Sequence, residues 1–233
     1  MTDRSHYRLI ASLFEYPDAG FPERVGQIKE FLDGDYPEAA GEIGQFLVYL
    51  PADDVMAMQE LFTRSFDVQA IATLDLGYVL FGDDYKRGEL LANLNREHIE
   101  ARNDCGTELA DHLPNILRLM SVLRDEELLE DLAYAIVGPS LLEMIGEFAP
   151  DRLEQKNESY LKHYKTLIDT PTVQVDAVTL YKHALQGLYE VLKQDFSRIE
   201  KMPLKRKSDF LGSIGVEIEI EERASAPVRE ATK

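Results

Sequence analysis

The chain has 233 residues, with 25 Lys plus Arg against 43 Asp plus Glu, a formal net charge of −18, and 45% hydrophobic residues. That composition excludes wholesale disorder and argues against a nucleic-acid partner, because a phosphate backbone needs a basic face. One cysteine, Cys105, excludes a disulfide within the chain and any Cys-x-x-Cys metal motif.

Most of the sequence carries helical periodicity. Residues 5–15 place Tyr7, Ile10, Ala11 and Phe14 on one face, and Pro17 stops them. Residues 22–33 group Val25, Ile28 and Leu32, and residues 37–49 group Ile43, Phe46 and Leu47 before Pro51. Asp53 or Asp54 is placed to cap a helix that runs to Phe66 with Val55, Met58, Leu61 and Phe62 inward. Residues 67–83 lose the period and read as a long connection with helical pieces, of the kind that often carries function. A helix over 84–102 follows, with Leu90, Leu91, Leu94 and Ile99 as its stripe. Asp104-Cys105-Gly106-Thr107 reads as a turn, and Pro114 as the first helical position of a segment ending at Leu123. Residues 125–149 read as one helix kinked at Gly138-Pro139. Residues 151–168 and 174–195 supply the last two helices.

The expectation is an all-α, single-domain bundle of about eight to ten helices over 1–198, with a charged tail over 199–233. The stretch 196–233 holds eight Lys or Arg and seven Asp or Glu, a net of +1, so residues 1–195 carry −18 − 1 = −19. Within the tail, Val216, Ile218 and Ile220 alternate with glutamates in a period of two. No apolar run approaches the ~20 residues of a membrane span, and no signal-peptide pattern opens the sequence. A cytoplasmic location without stable membrane insertion is the expectation.

Several chemistries lack their residues. There is no Walker A loop, no Gly-x-Gly-x-x-Gly, no Gly-x-Ser-x-Gly and no His-Glu-x-x-His. None of the five histidines follows a glutamate by three, as a di-iron bundle would need. The tightest polar group is Glu108, Asp111 and His112, just before Pro114. If helical, these positions share one face, where two carboxylates and an imidazole can orient a base or take a cationic peptide group. The plainer alternative has Asp111 capping the next helix. Two further stretches are Leu61-Phe62-Thr63-Arg64-Ser65-Phe66-Asp67 and Gly82-Asp83-Asp84-Tyr85-Lys86-Arg87-Gly88, which alone read as core and as a capped helix start.

Taken together and in this order, the three stretches resemble the NarJ branch of the NarJ/TorD/DmsD family of molybdoenzyme assembly chaperones. Phe62 to Asp67 is similar to that branch's aromatic-x-x-Thr/Ser-Phe-Asp segment. Gly82 to Gly88 is similar to its Gly-acidic-x-x-x-Arg-Gly segment. Glu108-Leu109-Ala110-Asp111-His112-Leu113-Pro114 is similar to Glu-Leu-Pro-Asp-His/Tyr-Leu-Pro, departing at Ala110, where proline is common. The resemblance runs over residues 5–195. It implies an all-helical cytoplasmic chaperone with no catalytic chemistry and no cofactor of its own. Such a protein binds the N-terminal segment of a molybdoenzyme catalytic subunit, nitrate reductase in type, until the molybdenum cofactor is installed.

A groove for a basic amphipathic segment suits that task, with an apolar floor and a carboxylate rim. The candidate peptide-binding residues are Glu108, Asp111, His112, Pro114, Asp67, Tyr78, Phe81 and Arg87, with Phe62 and Phe66 as further floor. Arg87 is expected to tie the wall together through an internal ion pair. The alternatives are a generic helical interaction scaffold and a helical hydrolase using Glu108 or Asp111.

Overall fold

The computed structural model describes residues 3–163 and 179–196, the side chains of 157–163 excepted. The alternating stretch after residue 215 and the rest of the tail lie outside the described residues. Eleven α-helices are numbered here: α1 (His6–Ala11), α2 (Phe21–Asp35), α3 (Pro37–Tyr49), α4 (Val55–Phe66), α5 (Leu76–Phe81), α6 (Tyr85–Ala101), α7 (Leu113–Val122), α8 (Glu126–Asp131), α9 (Gly138–Glu147), α10 (Pro150–His163) and α11 (Leu180–Asp195). A 3₁₀ turn, Ser12–Phe14, extends α1. The fold is an all-α, single-domain bundle with no strand among the described residues. No single described helix is long and apolar enough to cross a membrane.

Local chemistry explains the helix starts. Asp54 Oδ1 accepts from the Ala57 N–H at 3.1 Å at the head of α4. Asp84 Oδ1 accepts from Lys86 N–H at 2.9 Å at the head of α6, and Asp125 Oδ1 takes the Glu127 and Leu128 N–H groups at the head of α8. Each side chain satisfies a donor that a helix leaves unpaired. The helix after the 105–112 segment begins at Leu113, one residue before the expected Pro114, with Pro114 still in its first turn.

The segment 126–147 is not one α-helix kinked at Gly138-Pro139. Residues Leu132–Val137 form a π-helical stretch between α8 and α9. Pro139 lacks an N–H and its ring crowds the carbonyl four residues back, so a wider turn just before it relieves both problems.

The core joins α3, α4 and α11 through aromatic rings. Tyr181 stacks edge-on against Phe46 (5.1 Å between centroids), Phe66 (4.9 Å) and Phe62 (5.7 Å), contacts worth about 0.5–1.5 kcal/mol each beyond burial. Phe62 and Phe66 thus belong to this cluster. Helices α3 and α11 approach closely at Gly187, where a Cβ would lie 2.7 Å from Ile43 Cδ1. The two ends of the described chain meet at Asp195. Its Oδ2 accepts from Tyr7 Oη and His6 Nε2, and its Oδ1 from Tyr36 Oη, each at 2.8 Å.

Candidate functional site

The polar centre of the molecule lies where the 67–75 connection meets the 103–112 segment. The two run antiparallel for one bridge, Asp75 to His112. Leu113 N–H donates to Leu74 O at 2.8 Å, and Leu76 N–H donates to Asp111 O at 2.9 Å. Residues 108–112 are therefore turn and bridge, not helix. The condition under which Glu108, Asp111 and His112 would share one face, a helix over 108–112, is not met. The pairing with Leu74–Leu76 draws the backbone out, so Asp111 points inward while Glu108 stays exposed in the preceding bend.

Asp111 is fully buried. Its Oδ2 accepts from Arg87 Nε at 3.1 Å and from Gly77 N–H at 3.2 Å. Together with its main-chain oxygen, Asp111 thus serves the first two N–H groups of α5. The cap comes from a segment 34 residues away, not from α5's own flank, and it does not cap the following helix α7. Gly77 makes this seat possible, because a Cβ there would stand 2.6 Å from Asp111 Oδ2 and 3.0 Å from Leu90 Cδ2. Asp111 Oδ1 is buried and accepts nothing from the described residues.

Asp75 precedes α5 but does not cap it with its side chain. Its Oδ2 accepts from Arg87 Nη2 at 2.9 Å and its Oδ1 from His112 Nδ1 at 3.1 Å. Arg87, on α6, bridges both carboxylates and lies 5.4 Å above the ring of Tyr78. Tyr78 is 43% exposed. The internal ion pair expected of Arg87 is present, joining the 82–88 stretch to the 108–114 stretch.

The two carboxyls sit in different fields. His112 first, and Arg87 with it, hold the Asp75 carboxyl below the ordinary aspartate value. Burial pushes the Asp111 carboxyl up, against the pull of Arg87. Burial also works against the Arg87 charge, but its bonds to Asp111 and Asp75 outweigh that, and its guanidinium is held more firmly protonated.

The 103–112 segment is propped from beneath. His98 Nε2 donates to Ala110 O at 3.0 Å, while Asn103 Nδ2 donates to His98 Nδ1 at 2.8 Å and to Asn115 O at 3.1 Å. Asn115 Nδ2 reaches Leu109 O at 2.8 Å and Cys105 O at 3.2 Å. These side-chain bonds fix the backbone at Ala110 without a proline.

The structure thus brings together Asp111, His112, Arg87 and Tyr78. It does not bring the other candidates into that group. Asp67 is exposed at the C-cap of α4, and Phe81 ends α5 half-buried against the core. Pro114 is buried in the first turn of α7, so neither it nor Asp111 presents a side chain to a partner. Glu108 and Asp111 do not form an acid–base pair of the kind a hydrolase would use, one being exposed and the other locked to Arg87. Residue-level reading missed Asp75, Gly77, His98 and Asn115. Asp75 and Gly77 lie in the aperiodic stretch 67–83, where no period marks a residue for a role.

Among the described residues no group of three or more His, Cys, Asp or Glu is placed to hold a metal ion. No family model and no curated protein matches the chain.

Proposed function

We infer that this protein is a dedicated assembly chaperone that binds the N-terminal segment of a molybdoenzyme catalytic subunit of nitrate reductase type. It holds that segment for insertion of the molybdenum cofactor and performs no chemistry on it. The reading rests on the resemblance of three stretches, and one observation supports it above the others. Two of those stretches, 82–88 and 108–114, are bonded to each other through Arg87 and Asp111, and the bond leaves Tyr78 and one edge of His112 at the surface. The acidic body suits a basic leader, because opposite fields raise encounter rates. The recognition surface in this reading is Tyr78, His112 and the exposed edge of Asp75, with Arg87 and Asp111 as its internal brace.

Affinity capture with the full chain, in the cell that makes it, tests the assignment. The expected result is recovery of a molybdoenzyme catalytic subunit in its cofactor-free form, lost when the subunit's N-terminal segment is deleted. Recovery of the subunit regardless of that segment, or of partners with no molybdoenzyme among them, overturns it and favours a generic helical scaffold.

A further inference from the structure

Of the three nitrogens of the Arg87 guanidinium, two are committed. Nε donates to Asp111 Oδ2 at 3.1 Å and Nη2 to Asp75 Oδ2 at 2.9 Å. Nη1 makes no hydrogen bond with the described residues, and it is open to solvent, unlike the buried Oδ1 of Asp111. Two N–H donors of a fixed cation therefore stand at the surface. The carboxylates set their position before anything binds, and a side chain already held in place has little rotamer freedom left to lose. Beside them lies the exposed ring of Tyr78, its centre 5.4 Å from the guanidinium carbon. Gly82, at φ +62°, turns the chain from α5 into α6, and Arg87 stands in the first turn after that corner.

The surroundings select the acceptor. Asp75 and Asp111 outnumber the one guanidinium they share, Asp83 and Asp84 are exposed at the corner, and the chain is strongly acidic. A carboxylate or phosphate meets that field as a like charge, whereas a neutral carbonyl oxygen does not. A basic leader has few other acceptors to offer, since Lys and Arg side chains only donate. If it docks as an amphipathic helix, its main-chain carbonyls are paired internally except for the last four. The helix dipole places partial negative charge at that same end.

We propose that the leader docks as a helix with its C-terminal turn over Tyr78, where Arg87 Nη1 donates to one of the unpaired main-chain carbonyls. Arg87 is then a binding residue as well as a brace. It caps the client's helix from a separate chain, as Asp111 caps α5 from a separate segment. The contact sets the polarity of docking: the leader's last turn lies on the α5–α6 corner, and its first residues lie farthest from it. The proposal rests on the chaperone reading above and adds to it the atom that meets the client's backbone and the direction in which the client lies.

The test is made by NMR on the full chain without any variant, because removing Arg87 would also unseat Asp111. The probe is a synthetic peptide copying the leader of the captured catalytic subunit, with a nitroxide on its first or its last residue. The last-residue label is expected to broaden the Tyr78 ring and Arg87 side-chain signals, and the first-residue label to leave them sharp. With the unlabelled peptide, exchange of the Arg87 Nη1 hydrogens with water is expected to slow about tenfold or more, the factor that a hydrogen bond to a charged group supplies. A role as brace alone predicts no such slowing, because Nε and Nη2 hold the carboxylates. Broadening by the first-residue label, by both labels equally or by neither, or Nη1 exchange that bound peptide does not slow, overturns the proposal and leaves the chaperone reading standing. No binding of the peptide overturns both.

Discussion

Two carboxylates, Asp111 fully buried and Asp195 half-buried, each tie several elements together, and they are satisfied in different ways. Asp195 accepts from two tyrosine hydroxyls and a histidine, which fill both of its oxygens. Asp111 accepts from one cation and one backbone N–H, both on Oδ2, while Oδ1 has no partner among the described residues. The Asp195 group joins α1, the α2–α3 corner and α11, and it explains itself as a closure of the bundle. The Asp111 group ties α5 and α6 to an irregular segment and stands next to an exposed tyrosine and a half-used imidazole. A saturated cluster needs no purpose beyond folding. A charged cluster with unused hydrogen-bonding capacity at its edge is where a partner gains most.

The largest difference between the two is expected on removing their central groups. Arg87→Ala takes away the one cation that serves Asp75 and Asp111 and strands a fully buried carboxylate, a loss of about 3–5 kcal/mol for a broken buried pair. Asp195→Ala strands neutral hydroxyls, the Tyr7 group most deeply, and is expected to cost about 1–3 kcal/mol. Urea denaturation of the two variants measures both. The comparison breaks if Asp195→Ala is the more damaging.

This contrast also shows what the residues could disclose by themselves. The bounds of α3, read from Ile43, Phe46, Leu47 and the stop at Pro51, coincide with the observed Pro37–Tyr49, because a stripe of apolar residues is a local signal. Asp54 and Asp84 as caps are equally local. The seat of Asp111 is not. Its partners, Gly77 and Arg87, lie 34 and 24 residues away, and no spacing rule relates them. The short run Glu108–His112 has no apolar period to decide between turn and helix. The bridge to Leu74 and Leu76 decides it, and that contact is tertiary. The π-helical stretch before Pro139 was half legible. The proline announced a disturbance, but a kink and a widened turn relieve the same missing N–H.

A smaller effect separates the two close-packed glycines. Gly77→Ala would press a methyl onto a carboxylate oxygen already committed to Arg87 and Gly77's own N–H, with Leu90 behind it. Those atoms cannot retreat without opening the ion pair, so overpacking of about 1–3 kcal/mol is expected. Gly187→Ala presses instead on Cδ1 and Cγ1 of Ile43, apolar atoms with no ion pair to open, and is expected to cost less than Gly77→Ala. Thermal melts rank the pair. Equal losses would show that Asp111 gives way as easily as an isoleucine methyl, and that the brace is loose.

The smallest effect is on the pH dependence of stability, where the two carboxylates act with opposite sign. Burial works against the Asp195 carboxylate, but the bonds from His6, Tyr36 and Tyr7 outweigh it and hold that carboxyl below its ordinary 3.8. The unfolded chain then binds the proton more readily, so the stability Asp195 contributes is present above the ordinary value and lost as pH falls through the folded one. Burial raises the Asp111 carboxyl above 3.8, so there the folded chain binds the proton more readily. Stability falls as pH rises through the interval above the ordinary value, and acid offsets part of what Asp195 and Asp75 lose. Between about pH 5 and about pH 3, Asp195→Asn is therefore expected to lose less stability than the parent chain, and Asp111→Asn more. Urea midpoints across that range supply the measurement. Parallel profiles for the two variants would mean that Arg87 outweighs burial at Asp111, and that the unused oxygen of that carboxylate carries no cost.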